Sequence, residues 1–527
     1  MKRYFPETLS LRDTAFLILG AVLYAAAMPG KNTSLGFLAY FALIPLFFCL
    51  KEKNNSRKVA FCGLFFGSVA SFPLLGWIRF TVSVYGNLGD FVGFLSAVLL
   101  SIYCGIFTSV FSLIMAESVN RFGFSALFGA PFIWTGIDIL RIRSHIGFPW
   151  LLLGYSQYGD FFARQFAAYG GVVGTGFLLV LINLLFFFSI RGFKERRRRK
   201  AVIFLSAAFS VVFLLHLPGF LRGAVPQAGG EDAGVIVVTA VQPNIDQWKK
   251  WDVQFREETL GIMKQLTEDR VKNTVDLIVW PETALPFFYY WDKDPTVEIK
   301  NFIKKLRKPV VTGIPWYDGA GKGRYFNSIG LLAPSGNIYQ RYDKMKLVPF
   351  GEYVPLRKVL FFIDKITEGA EDFSRGKGMK LLTWDAAKII PAVCYEAIFP
   401  HLSVQGVFLG GNLLVNVTND AWFGDTKAPY QHLYMAAYRT VETGRYMVRV
   451  ANSGITAVID QFGNVKTRIE LFERGAITAR VSSLSGMTFY VKNAKFIDSF
   501  IISGSIILIG GIIMGRLKKW QEYSRRG

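Results

Sequence analysis

The chain has 527 residues, 52% of them hydrophobic and 16% aromatic, with a mean hydropathy of +0.32 and a formal net charge of +22. That mixture is too apolar for an ordinary soluble enzyme and too charged for a bare membrane bundle, so two unlike parts are implied.

Taken in chain order, apolar stretches able to cross a hydrocarbon core, which needs roughly 20 residues, are predicted at 14–28, 35–50, 59–77, 91–115, 126–140, 172–190, 201–217 and 500–514. Trp134, Asp138 and Arg141 interrupt the fifth. Lys2 and Arg3 ahead of the first stretch, with Ala25, Ala26 and Ala27 at its end, have the outline of a signal peptide. Further spans follow almost at once, so a retained helix is expected. Basic clusters set the orientation. They lie at Lys51, Lys53, Arg57 and Lys58, at Arg191, Lys194 and 196–200, and at Arg516, Lys518, Lys519, Arg525 and Arg526. With the N-terminus inside, a count of about eight spans puts all of them on the cytoplasmic side. Much of the positive charge then reports topology, and nucleic acid is not an expected partner. Arg141 and Arg143 fall on the outer side; either they reach lipid phosphates from a helix end or the fifth span is misplaced. The expected division is a bundle at 1–219, an extracytoplasmic domain at 220–496, and a last helix with a basic cytoplasmic tail at 497–527.

A polar linker at 226–232 opens the outer part. Buried strands are predicted at 235–241 and 277–280, with a helix over 251–270 between them. A helix at 297–306, a strand at 310–313, and a hairpin of 328–332 with 338–342 follow. Next come a strand at 388–393, a short helix around 397–407, a strand at 412–417, a helix over 431–445, and the pair 447–450 with 456–460. Strands alternating with helices and broken by hairpins predict a mixed-sheet layered α/β domain.

Three polar residues stand directly after strand-like runs, where loops at a sheet's carboxyl edge build sites. Glu282 follows Leu277-Ile278-Val279-Trp280-Pro281, Lys344 follows Tyr342-Asp343, and Cys394 ends Ile389-Ile390-Pro391-Ala392-Val393. Cys394 is the one cysteine of the polar half; Cys49, Cys62 and Cys104 fall in apolar segments and are expected to be packing residues. An unpaired thiol in a domain facing an oxidising compartment is a candidate for chemistry, with a small core residue as the plain alternative. A thiol is mostly protonated at neutral pH, so a nucleophile needs a base and a cation. Glu282 beside Trp280, Pro281 and Pro286 suits the base, and Lys344 suits stabilisation of an oxyanion. His145, His216, His401 and His432 form no zinc-spaced pair, and no phosphate-binding glycine loop occurs, so neither a metal nor a cofactor is expected.

The motifs Trp280-Pro281-Glu282, Tyr342-Asp343-Lys344 with Leu347-Val348-Pro349-Phe350-Gly351-Glu352, and Val393-Cys394-Tyr395-Glu396 resemble the Glu-Lys-Cys triad of the nitrilase superfamily. Within this membrane frame the whole chain resembles the superfamily's membrane-embedded branch, the apolipoprotein N-acyltransferase family. The resemblance implies an α-β-β-α sandwich, with Glu282 as base, Lys344 as oxyanion-stabilising residue and Cys394 as nucleophile. It also implies roles for Trp251, Glu352, Tyr395 and Glu396, although at helical spacing Trp251 also fits a core position. Phe148-Pro149-Trp150 and Gly154-Tyr155-Ser156-Gln157 match the family as well.

The reaction so implied carries a fatty acyl chain from a phospholipid, phosphatidylethanolamine by resemblance, through a Cys394 thioester to the N-terminal amine of a diacylglyceryl-apolipoprotein. A monomer in the bacterial inner membrane, its catalytic domain on the periplasmic side, is expected. The apolar runs 285–290 and 359–363 are candidate lids or ordinary core. Two competing readings are a membrane-tethered amidohydrolase, which would keep the triad and not need lipid, and a transporter or scaffold, in which Cys394 would be dispensable.

Overall fold

The computed structural model describes residues 10–50, 55–144, 147–224, 234–271, 273–319, 323–354 and 372–524. The chain divides into two compact units. One comprises Met1–Arg79, Phe94–Ala224 and Asn493–Gly527; the other comprises Phe80–Gly93 and Val225–Lys492.

The first unit is helical. Among the described residues six helices are long and apolar enough to cross a membrane: Ser56–Leu75, Gly89–Phe122, Phe124–Arg143, Ala167–Lys194, Arg198–Leu221 and Phe489–Leu517. Each overlays a predicted stretch. The first stretch forms Leu11–Ala27, a 17-residue helix capped by the Ser10 hydroxyl. The second departs from expectation, because 35–50 is broken into a 3-10 turn, Gly36–Tyr40, and a short helix, Ile44–Phe48, with Pro45 in its first turn. Pro45 has no N–H to donate, and buried Asn183 meets the backbone groups freed around the break. Its Nδ2 donates to the Ala39 carbonyl at 2.7 Å, and its Oδ1 accepts from the Leu43 N–H at 2.8 Å. Non-helical backbone at membrane depth persists only when satisfied in this way.

The two awkward arginines have protein partners. Arg141 meets Asp138 at 3.3 Å and donates to the carbonyls of Phe148 and Trp150 at 3.0 and 3.2 Å. Arg143 pairs with Asp498 at 2.7 Å.

The second unit is a two-sheet sandwich. Its strands are β1 (Val235–Gln242), β2 (Leu277–Val279), β3 (Val310–Asp318), β4 (Arg324–Leu332), β5 (Ile338–Asp343), β6 (Leu382–Trp384), β7 (Ala387–Val393), β8 (Leu413–Thr418), β9 (Tyr446–Ala451), β10 (Thr456–Ile459), β11 (Val465–Ile469) and β12 (Gly475–Ser482). Among the described residues they form two six-stranded sheets, ordered β12-β1-β2-β3-β4-β5 and β11-β10-β9-β8-β7-β6. Both are mixed: β1, β2 and β3 run parallel, as do β7, β8 and β9, and the flanking strands are antiparallel. Period-two alternation sends Val238, Val279, Val311 and Ile329 from one sheet and Ile389, Val393, Val415 and Val448 from the other into one shared core. The outer face of the first sheet is covered by helices Arg256–Glu268 and Lys293–Leu306, through Leu260, Met263, Ile299 and Ile303. Pro400–Phe408 covers the second, its Gly406 pressed so close to Ile390 that a Cβ would lie 2.3 Å from that side chain. This is the expected α-β-β-α layering.

Three strands escape the sequence reading: β6, β11 and β12. The last pairs along the whole of β1 but carries Arg480 among its apolar positions. The predicted helix over 251–270 starts later, at Arg256, because Asp246 caps a separate turn, Gln247–Lys250, and Asp252 caps another. Of the candidate lids, 285–290 is largely core: Leu285, Phe287 and Tyr289 are buried, and the Tyr289 hydroxyl donates to the Gly336 carbonyl at 2.6 Å. The other, 359–363, lies outside the described residues.

Candidate active site

The sandwich brings Glu282, Lys344 and Cys394 together from three well-separated positions in the chain. Each follows a strand: Glu282 lies three residues beyond β2, Lys344 immediately after β5, and Cys394 immediately after β7. The first two come from one sheet and the third from the other. Strand ends make precise mounts because the ladder fixes their backbone and the turn alone sets the aim.

The Glu282 turn is held by backbone pairing. The Ala284 N–H donates to the Gly313 carbonyl at 3.0 Å, and the Gly313 N–H donates to the Pro281 carbonyl at 3.1 Å. Position 313 must be glycine here, since a Cβ would lie 2.6 Å from the Glu282 Cα. At β7 the chain turns sharply: Cys394 has φ +49°, a left-handed conformation that costs a non-glycine residue strain and recurs at functional turns.

Lys344 is 1% exposed. Its Nζ lies 2.9 Å from Glu352 Oε2, 3.0 Å from Glu352 Oε1 and 3.8 Å from Glu282 Oε1. Burial alone would strip its proton, but the Glu352 and Glu282 carboxylates outweigh that and hold its pKa above the ordinary value. Burial, followed by the neighbouring Glu352 charge, raises the Glu282 carboxyl above the usual carboxylate range, against the pull of Lys344. Burial and then the Glu282 carboxylate push the Cys394 thiol far up, opposed by Lys344 and a hydrogen bond with Thr418. The resting arrangement is thus a protonated thiol beside a carboxylate whose affinity for a proton has been raised, with a fixed ammonium next to both. It can deprotonate a thiol during attack and hold a developing oxyanion.

The supporting residues differ in kind. Glu352 is the main counter-charge of Lys344, and its Oε2 also accepts the Val348 N–H at 2.8 Å. Glu396 is 1% exposed and ties the Cys394 turn to the segment after β5. Its Oε2 accepts from the Val393 N–H at 2.9 Å; its Oε1 accepts from Met345 N–H at 2.6 Å, Lys346 N–H at 3.1 Å and the Tyr342 hydroxyl at 2.9 Å. The Tyr395 ring packs edge-on against Phe399 at 5.0 Å. Trp251 is 48% exposed, so it is not a core residue.

Two participants were missed in the sequence. Asn327, on β4, donates through Nδ2 to Glu282 Oε1 and Glu352 Oε1, both at 2.8 Å, and so bridges the two carboxylates. Lys250, 4% exposed, donates to the Glu282 backbone carbonyl at 2.8 Å. Burial lowers its pKa to about 8, against the pull of Glu282 and Cys394. Lys250 lies beside Lys249 in a stretch rich in charge, where nothing in the sequence separates a buried lysine from a solvated one. Trp248 and Trp251 flank it, both half exposed, and Trp248 meets Tyr85, which meets Trp422, at ring separations of 5.9 and 5.0 Å.

Two family models match the chain: the apolipoprotein N-acyltransferase N-terminal domain over residues 19–185 and the carbon-nitrogen hydrolase over residues 237–486. The apolipoprotein N-acyltransferase of Geobacter metallireducens is 35% identical over 505 residues, 95% of each chain. That of Methylococcus capsulatus is 34% identical over 456 residues, 85% of this chain and 86% of its own. A carbon-nitrogen hydrolase from Helicobacter pylori aligns with 51% of this chain and 94% of its own at 13% identity and a TM-score of 0.37. With identity sustained through both the helical and the sandwich unit, the chain belongs to the apolipoprotein N-acyltransferase family.

Proposed function

We propose that this protein transfers a fatty acyl chain from a membrane phospholipid to the N-terminal amine of a diacylglyceryl-cysteine lipoprotein, with Glu282, Lys344 and Cys394 as its catalytic residues. The observation that carries this reading is the buried convergence of a carboxylate, an ammonium and a thiol at strand ends of two facing sheets.

In the first step Cys394 sulfur attacks the ester carbonyl of the phospholipid while Glu282 takes the thiol proton. Lys344 stabilises the tetrahedral oxyanion. As the intermediate collapses the ester C–O bond breaks, the lysophospholipid alkoxide takes the proton from Glu282, and a thioester remains. In the second step the lipoprotein amine attacks that thioester. A C–N bond forms, the C–S bond breaks, Glu282 accepts the amine proton and returns it to sulfur. No external energy source is needed, because conversion of an oxygen ester to an amide is downhill overall, and the thioester, more electrophilic toward an amine than the ester that formed it, speeds the second step.

Both substrates are lipids, and extracting an acyl chain into water costs about 0.8 kcal/mol per CH₂. A bundle that holds the catalytic domain at 220–496 against the bilayer avoids that cost. The half-exposed Trp248 and Trp251 beside Lys250 suit contact with lipid, and Trp251 is assigned to substrate binding. Phosphatidylethanolamine is the proposed donor, the bacterial inner membrane the proposed location, and the periplasmic side the proposed face. All the site residues come from one chain, so a monomer suffices. Glu352, Tyr395 and Glu396 act in support. The relatives' match across the helical unit favours this reading over a tethered amidohydrolase, which would have no use for lipid.

The test is mass spectrometry of the purified protein after incubation with phosphatidylethanolamine. The peptide containing Cys394 should gain an acyl mass, lose it on addition of a diacylglyceryl lipopeptide, and remain unmodified in C394A. A bare thiol in the unsubstituted enzyme would overturn the transferase.

A further inference from the structure

Beneath Cys394 lies a polar network that the acyl-transfer steps do not use. His432, on helix Ala428–Thr443, points Nε2 at the Cys394 carbonyl oxygen, 3.1 Å away. Asn416 Nδ2 reaches the same oxygen at 3.4 Å and the Ala392 carbonyl at 3.0 Å. On the far side of the ring, His432 Nδ1 lies 2.9 Å from Asp420 Oδ1 and 3.1 Å from Arg449 Nη2. Asp420 accepts from Arg449 Nη2 at 2.6 Å and from the Thr418 hydroxyl at 2.9 Å, and Arg449 Nη1 also bonds Asn416 Oδ1. His432, Asp420, Arg449, Asn416 and Thr418 are all 0% exposed.

A carbonyl oxygen only accepts, so Nε2 carries a proton in either charge state of the ring. Buried side-chain networks hold their members in place when each finds a partner. Here the restrained group is the peptide of a residue kept at φ +49°. The peptide unit is a rigid plane, so pinning its oxygen fixes ψ of Cys394 and thereby the direction in which its thiol leaves the backbone. Thr418, which donates to Asp420, also acts on the thiol and lowers its pKa against the effect of burial.

We propose that His432, oriented by the Asp420–Arg449 pair, is a positioning residue for the nucleophile: its Nε2–H clamps the Cys394 carbonyl and holds the left-handed turn in which Glu282 and Lys344 reach the sulfur. This rests on Cys394 being the acyl-accepting thiol.

Three variants of the full-length protein in detergent test it. H432Q keeps an N–H donor of similar reach, whereas H432F and H432M keep bulk and lose the donor. The readouts are kcat and KM for phospholipid, the rate of Cys394 alkylation by iodoacetamide, and the melting temperature. A thiol displaced by an ångström loses about 100-fold in rate. H432F and H432M should therefore fall by about that factor in kcat with KM unchanged and alkylate more slowly, while H432Q recovers most of both. A folded H432F or H432M with kcat within about threefold of the unsubstituted enzyme would overturn the clamp. So would failure of both to fold while H432Q folds, which would make His432 a packing residue. Should the unsubstituted protein alkylate at Cys394 yet never gain an acyl mass, the transferase reading falls, and the alkylation rates alone decide on His432.

Discussion

A thiol buried against a carboxylate does not ionise by itself near neutral pH, so at the residue scale the rate of acylation follows the group that takes its proton. Glu282, the proposed base, can act only as a carboxylate, and burial has raised its pKa above the ordinary range. The reactive fraction therefore grows as pH rises through that raised value, giving an acid limb displaced upward from an ordinary glutamate's. Lys250 adds the opposite limb. Its ammonium, with a pKa lowered to about 8, supports the site's negative charge below that value and is lost above it. Lys344 is held charged throughout and contributes no limb. Single-turnover acylation measured from pH 5 to 10 should rise, level and then fall above about 8. E282Q should lower the plateau by roughly 10²–10⁴-fold and erase the acid limb. K250M should erase the alkaline limb, and a limb persisting in K250M would assign it to another group.

At the scale of elements, the site depends on holding the ends of β5 and β7 together, one from each sheet. Shared core packing between the sheets sets their separation, but apolar contacts leave small sliding motions unopposed. Glu396 removes that freedom by collecting three backbone N–H groups and the Tyr342 hydroxyl on one buried carboxylate. E396A would leave these donors without their acceptor. A loss of unfolding free energy on the order of 3 kcal/mol is expected, because each buried donor left unsatisfied costs about 1–3 kcal/mol and water entering the vacated space recovers part. Chemical denaturation in detergent measures it. E396Q, which retains an acceptor oxygen, should lose less, and equal losses in the two variants would count against the brace.

The whole molecule joins a charged sandwich to an apolar bundle, and its excess of basic residues is concentrated at helix ends. Arg191, Lys194 and the run 196–200 span the last turn of helix Ala167–Lys194, the link after it and the first turn of helix Arg198–Leu221. Such clusters resist translocation, so the proposed topology keeps them in the cytoplasm and exports the sandwich. S335C, in the exposed turn between β4 and β5, should react with a membrane-impermeant maleimide in cells whose outer membrane alone has been permeabilised. Labelling seen only after lysis would place the catalytic domain in the cytoplasm.

Local chemistry made much of this legible in the chain itself. Runs of apolar residues predict spanning helices wherever lipid is the solvent, and β-branched runs ending at Glu282 and Cys394 predict buried strands, because both signals depend on near neighbours. The motifs around Glu282, Lys344 and Cys394 pointed to the reaction through their resemblance to the nitrilase superfamily. What depends on distant partners was not legible: the break at 35–50 persists because Asn183 meets it, β12 is a strand because β1 offers a ladder, and Arg143 is paired because Asp498 reaches it. Asn327, Lys250 and His432 are ordinary polar residues in sequence, and only the folded chain turns them toward Glu282 and Cys394. Sequence thus determined most of the elements and the candidate reactive groups, since these follow from local pattern. Tertiary structure alone decided which buried polar atoms surround them, since a hydrogen bond across the fold depends on distances that no linear spacing encodes.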